Sequence, residues 1–361
     1  MMARVYNFSP GPATLPEEVL KEAQTQLADY KGSGMSILES SHRGKEYSAV
    51  HEEARSNIAE LLNLTEDYAV LFMSGGASTQ FALAPMNLMG EGGRADYVDS
   101  GSWSTKAIKE ARKIGEVHLA ADVKDASPAR MPKPEELTLD PGAAYLHLTS
   151  NETIAGTQWK TFPDTGEVPI VADMSSDICS RTFDVNPFGL IYAGAQKNLG
   201  PAGVTIVVIR RDLAERAAGH LPTLFQYRTF VEKDSLANTP PVFPIYIVSL
   251  VTRWLLDKGG IAGIEQQNRD KAAKLYAAID GSDFYRGTAA ADSRSDMNVT
   301  FRLAEEELEK TFIEEAARQG MKGLKGHRSV GGVRASIYNA FPVEGVDALV
   351  DFMKEFEKKN G

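Results

Sequence analysis

The chain has 361 residues, a formal net charge of −10, and 43% hydrophobic against 24% charged residues. These are ordinary globular values; they exclude disordered and fibrous classes and leave room for one large core with a smaller domain attached. The acidic balance and the lack of any Lys/Arg run argue against nucleic acid or an acidic lipid surface as partner, so an anionic ligand must be held by a local site.

The N-terminus, MMARVYNFSPGP, has no apolar core of signal-peptide length. The one cysteine, Cys179, allows neither an intrachain disulfide nor a Cys-based zinc site, and no metal is expected; a reducing compartment, the cytoplasm, is the expectation. From about Leu15 to Ile209, short apolar runs alternate with longer amphipathic segments, which predicts a large α/β domain with a mainly parallel seven-stranded sheet. The predicted strands are YAVLFM, ADYVD, EVHLA, AYLHLT, VPIVADM, LIYAGA and VTIVVI. Each ends in small or polar residues, and ligands on such sheets gather at the carboxyl ends.

Beyond about Asp212 the chain turns helical, and Gly259-Gly260 reads as a break between two helices. The most apolar stretch there, PIYIVSLVTRWLLD, is interrupted by Arg253 and too short to span a bilayer. The expected division is a large domain over residues 1–258, its N-terminal segment contributing to the active site, and a small α+β domain over residues 259–361.

Five places along this pattern carry candidate chemistry. YAVLFM runs into SGGASTQF, where Gly75, Gly76, Ala77 and Ser78 open a helix and can offer backbone N–H groups to an anion. Neither G-x-G-x-x-G nor G-x-x-x-x-G-K-[ST] occurs, which counts against nicotinamide and nucleoside-triphosphate sites. Asp173 ends the strand VPIVADM and Lys197 follows the next; singly, a helix-capping Asp and a surface Lys explain them equally well. Trp103, at a helix start, and Thr153, after AYLHLT, read singly as a core anchor and a turn cap. Together they match the needs of pyridoxal phosphate (PLP): a lysine for the Schiff base, an acid for the pyridine nitrogen, an anion cradle and an aromatic platform.

The motifs NFSPGPATLP, SSHRGKEY, SGGASTQF, SNETIAGTQW, ADMSSD, GAQKNLGPAG, NTPPVFPIY and GHRSVGGVRASIYNA run the length of the chain. They resemble the phosphoserine aminotransferases, class V enzymes of the fold-type I PLP-dependent transferases. The resemblance implies that Lys197 is the Schiff-base lysine and that Asp173 pairs with the pyridine nitrogen. It implies too that Trp103 stacks on the ring, that Thr153 contacts its phenolic side or Asp173, and that Gly76, Ala77 and Gln196 complete the cofactor shell. Asn238 and Thr239 are implied to reach the cofactor phosphate of a neighbouring subunit, hence a homodimer with shared active sites. His42-Arg43 and His327-Arg328 are implied to clamp the anionic end of the substrate, and Arg334 its α-carboxylate. Some members carry Arg where Ser78 stands, so that charge is missing here. The implied reaction takes the amino group from L-glutamate to 3-phosphohydroxypyruvate, giving 2-oxoglutarate and O-phospho-L-serine for serine synthesis; the phosphohydroxythreonine pair of vitamin B6 synthesis is a further implied substrate. A cysteine desulfurase would need Cys179 as a mobile nucleophile, whereas its position favours a buried structural thiol.

Overall fold

The computed structural model describes residues 4–216 and 219–361. The first half of the chain builds strand β1 (Tyr6–Asn7), helices α1 (Glu17–Gln26) and α2 (Lys45–Leu61), then β2 (Tyr68–Met73), α3 (Gly76–Leu88), β3 (Arg94–Asp99), α4 (Ser102–Ala111) and β4 (Glu116–Asp122). After these come β5 (Leu146–Thr149), a short hairpin of β6 (Asn151–Glu152) and β7 (Thr157–Gln158), then β8 (Ile170–Asp173), β9 (Phe188–Gly194) and β10 (Thr205–Arg210). The seven long strands are the seven expected from the apolar runs, and they join in one sheet of order β2-β10-β9-β8-β5-β3-β4. Only β10 runs antiparallel to its neighbours; the other pairs are parallel.

Burial on both faces explains why these strands read as continuous apolar runs rather than alternating ones. On one face Val70, Phe72, Leu148, Ala172, Ile191 and Val208 pack against α2 and against α7 (see below), within one core cluster. On the other, Leu71, Met73, Val171, Tyr192 and Val207 meet Phe81 and Leu88 of α3 and Ile108 of α4. Each strand thus sends alternate side chains to opposite layers.

The remainder runs through α5 (Arg211–Ala214), α6 (Tyr227–Glu232), α7 (Val242–Asp257) and α8 (Gly260–Asp280). The expected break is present: α7 stops at Asp257, and Gly259 and Gly260 take left-handed φ values of +90° and +67° before α8 starts. A second body follows, made of β11 (Tyr285–Gly287), β12 (Asn298–Leu303), α9 (Glu306–Arg318), β13 (Met321–Lys322), β14 (Val333–Ser336) and α10 (Val343–Asn360). Its antiparallel sheet β11-β12-β14 packs on α8, α9 and α10 around Leu275, Phe301, Phe312, Leu349 and Phe352. The chain's beginning joins this body too: β1 pairs in parallel with β13, and the Phe8 ring lies 4.4 Å from that of Phe341. By contacts, then, residues 6–8 go with the C-terminal body.

Candidate active site

At its carboxyl end β2 turns through Ser74-Gly75 into α3. Gly75 adopts φ +98°, and a Cβ there would lie 2.1 Å from the Thr79 hydroxyl, so both conformation and space require glycine. No side chain caps α3, which leaves the first-turn N–H groups free to face an anion. They border a cavity of about 390 Å³ whose wall includes Gly76, Ala77, Trp103, Asp173, Gln196 and Lys197.

The strand ends β8 and β9 supply the charged groups. Asp173 is 5% exposed and accepts the Ser175 N–H at 2.9 Å. Burial raises its carboxyl pKa, with the Ser175 hydrogen bonds and the Lys197 charge opposing. The Ser175 hydroxyl in turn accepts the Gly194 N–H at 3.1 Å, which ties the two strand ends together. Lys197 projects from the turn after β9, and its Nζ donates to the Thr153 hydroxyl at 2.7 Å and lies 5.4 Å from the centre of the Trp103 ring. Burial pushes the Lys197 ammonium down to about 8, against the pull of Asp173 and Glu152. An amine so placed is a nucleophile and proton carrier near neutral pH, which an exposed lysine is not. The N-terminal segment covers it: Ala13 N–H donates to the Gln196 carbonyl at 2.9 Å, and Gly11 sits where a Cβ would touch Lys197 Cγ at 3.4 Å.

A second cavity of about 860 Å³ opens between the bodies, lined by Gly101, Thr105, Lys106, Arg302, His327 and Arg334. Arg334, on β14, is 6% exposed, has no carboxylate partner among the described residues, and keeps its Nε buried without an acceptor. Burial lowers its pKa. Burial and the Arg334, Arg328 and Lys106 charges also hold the His327 imidazole below its usual value.

Residues 5–349 match the Aminotransferase class-V family. The chain belongs to this family.

Among similar proteins, the phosphoserine aminotransferase of Niallia circulans is 57% identical and that of Desulfatibacillum aliphaticivorans 58%, each match covering all of both chains. The structure of the phosphoserine aminotransferase from Bacillus circulans subsp. alkalophilus superposes with a TM-score of 0.97 over 99% of each chain. The PLP-bound phosphoserine aminotransferase from Trichomonas vaginalis, 38% identical, superposes at 0.93 over 97% of this chain and 100% of that one. The ureidoglycine–glyoxylate aminotransferase of Bacillus subtilis, 12% identical, shares the fold at 0.77 over 99% of this chain and 94% of that one.

As a class-V aminotransferase the chain uses PLP, and its cavity fits that group. A glycine cradle with free N–H groups suits a phosphate, and a buried carboxylate with no salt-bridge partner among the described residues suits a protonated ring nitrogen. Trp103 Nε1 and Thr149 Oγ1 are buried with no hydrogen-bond partner, polar atoms that a bound polar ring can satisfy. The structure therefore gathers Gly76, Ala77, Trp103, Thr153, Asp173, Gln196 and Lys197, with His327 and Arg334 next door. The Thr153 hydroxyl accepts from the Lys197 amine and makes no hydrogen bond to Asp173 among the described residues. His42 and Arg43, just before α2, line neither cavity, nor does the exposed Arg328. Asn238 borders a separate small cavity with Ser74 and Thr79, and the exposed Thr239 follows it.

The sequence reading passed over Glu152, whose fully buried carboxylate accepts the N–H groups of Trp103 and Ser104. The signal was a charged residue set two positions after the buried run YLHLTS. Cys179 is inert as expected: it is fully buried, and burial pushes its thiol up to about 12. Among the described residues no His/Cys/Asp/Glu group is placed to hold a metal ion, and no helix is long and apolar enough to cross a membrane.

Proposed function

We infer that the chain transfers the amino group of L-glutamate to 3-phosphohydroxypyruvate, forming 2-oxoglutarate and O-phospho-L-serine. The observation that carries this is the Lys197 amine, buried at the cavity floor between Asp173, Thr153 and the Trp103 ring, in a chain 57% identical along its whole length to a phosphoserine aminotransferase.

When bound, PLP accepts the amino group and spreads the negative charge that develops at the substrate Cα. The chain's own residues do the rest. Lys197 Nζ would hold the cofactor and would carry the proton to and from the substrate Cα. Asp173 keeps the ring nitrogen protonated, a role its buried position favours because a cation beside it offsets the cost of desolvation. Trp103 would serve as the aromatic platform for the ring, and the N–H groups at Gly76 and Ala77 would hold the phosphate, Ser78 standing where some relatives have Arg. Arg334 takes the α-carboxylate as a bidentate fork, supported by a buried guanidinium that has no carboxylate partner among the described residues and reaches the Thr153 carbonyl with one nitrogen at 3.5 Å. His327 and Arg328 take the distal carboxylate or phosphate.

His42-Arg43 and Asn238-Thr239 complete the site of a second copy, so the working unit is a homodimer. Two features support this: these pairs line neither the Lys197 cavity nor the Arg334 cavity of their own chain, and Leu27, Met35, Leu38, Leu224 and Phe225 are 40–56% exposed. The lone buried cysteine suits the cytoplasm.

The test is the absorbance of the PLP-loaded protein. A visible band that fades with glutamate and returns with 3-phosphohydroxypyruvate is the expected result; a band indifferent to glutamate would move the chain to another class V reaction, and no band would overturn the cofactor site. The same cycle run with the phosphohydroxythreonine pair decides whether that substrate is also taken.

A further inference from the structure

We propose that Glu152 is a positioning residue that caps helix α4 from outside and so fixes the Trp103 ring over the Lys197 amine, a proposal that rests on the cofactor reading above. The N-cap position of the helix is held by Gly101, which has no side chain to cap it. Its second and third N–H groups, of Trp103 and Ser104, donate instead to the two oxygens of one carboxylate, Glu152 Oε2 at 3.2 Å and Oε1 at 3.0 Å. Each oxygen serves one amide, in the place a capping Ser or Asp at position 101 ordinarily fills.

The arrangement excludes the ordinary cap. A Cβ on residue 101 would lie 2.7 Å from Glu152 Cδ, so the inserted carboxylate and a side chain at 101 cannot coexist. The Ser104 hydroxyl is already committed: it accepts the N–H groups of Ser100 and Gly101, each at 2.9 Å, and faces Asp99 Oδ1 and the Gly101 carbonyl. Among the described residues no other side chain accepts from the Trp103 and Ser104 amides. Glu152 has no ion-pair partner among the described residues, and burial lifts its pKa to about 7 while the helix N–H groups oppose the rise. A fully buried carboxylate of this kind is costly wherever a local serine would serve.

What the external cap adds is a link between distant pieces of the site. Glu152 belongs to the β6–β7 hairpin, held by the Glu152–Thr157 pairing and by the Gly156 N–H to the Glu152 carbonyl at 2.8 Å. Its neighbour Thr153 accepts from Lys197 Nζ. One turn of chain therefore sets both the aromatic wall and the amine that faces it, and a shift of about 1 Å between them is enough to cost on the order of 10²-fold in rate.

The experiment uses full-length protein carrying E152A or E152Q, each with and without W103A. In cofactor-free E152A, exchange of the Trp103 and Ser104 amides should speed by about tenfold or more, the loss of a cap of about 1.4 kcal/mol. In the PLP-loaded variant, visible circular dichroism per bound cofactor should fall to about half or less, and kcat should drop by roughly 10–100-fold with KM changed far less. E152Q, isosteric but presenting an N–H to one amide, should lie between and serves if E152A does not fold. In the W103A background, loss of Glu152 should cost less than about twofold more in kcat, because the two act as one unit. Additive losses, or E152A and E152Q that both keep the dichroism and unchanged amide exchange, would overturn the proposal. Failure of the wild-type protein to bind PLP would sink the cofactor reading instead, while amide exchange in cofactor-free protein still judges the cap.

Discussion

Lys197 and Asp173 illustrate how burial turns ordinary side chains into reagents. Replacing Lys197 by Ala should abolish both the visible PLP band and turnover; appreciable transamination by K197A would remove it from the centre of the site. Its pKa of about 8 also fixes a pH dependence. In the cofactor-free protein the neutral amine, which attacks the cofactor aldehyde, dominates only above that value. PLP uptake measured by stopped-flow absorbance should therefore rise through about pH 8 and level off, where an exposed lysine would keep gaining toward 10.4. Between these pH values the unfolded chain binds the extra proton, so the stability contributed by this group rises with pH across that window. D173N keeps the shape but removes the charge, and should lower kcat by on the order of 10²–10³-fold with PLP still bound.

The α3 cradle and the β6–β7 hairpin show which elements a sequence can announce. At the cradle, G75A forces both a left-handed conformation and a clash with Thr79, and should weaken PLP binding by about tenfold or more in an equilibrium titration, whereas G76A meets open space and should cost about 1 kcal/mol of backbone strain. The long strands were legible because β2 and β9 are apolar from end to end, as double burial demands. The Gly-Gly turn, Asp173 and Lys197 were legible because each ends one of those strands. The two-residue strands β6 and β7 leave no periodic trace. The partnership of Glu152 with Trp103 joins positions far apart in sequence through backbone amides, which no side-chain pattern can reveal. Nor did the sequence indicate that β1 would pair with β13, since two residues carry no register.

The two bodies are sewn together by polar groups that reach the site from behind. Asn151 donates to Asn298 Oδ1 at 2.8 Å, Asn298 donates to the Tyr338 hydroxyl at 3.2 Å, and that hydroxyl donates to the Pro10 carbonyl at 2.7 Å. Lys271, wholly buried, donates to the carbonyls of Ile337, Tyr338 and Phe341 at 2.9, 2.7 and 3.2 Å and so holds the segment that follows Arg334. K271M should leave the Ile337 and Phe341 carbonyls without their donor, the Tyr338 carbonyl keeping the Phe341 N–H at 2.9 Å, and cost about 2–4 kcal/mol in chemical denaturation, visible as a lower midpoint. At the assembly level, light scattering should give twice the chain mass for the native protein, and the L224D/F225D double variant should run as a monomer and bind PLP more weakly. The placement of β10 between β2 and β9 has a consequence for how the protein is made. β2 finds no partner until β10 leaves the ribosome about 130 residues later, a wait of roughly 7–26 s at ordinary translation rates. Throughout it an apolar strand edge stands open and the phosphate cradle has no wall to lean on. The nascent chain is therefore a natural client for a holdase chaperone, and cofactor capture belongs to the finished polypeptide.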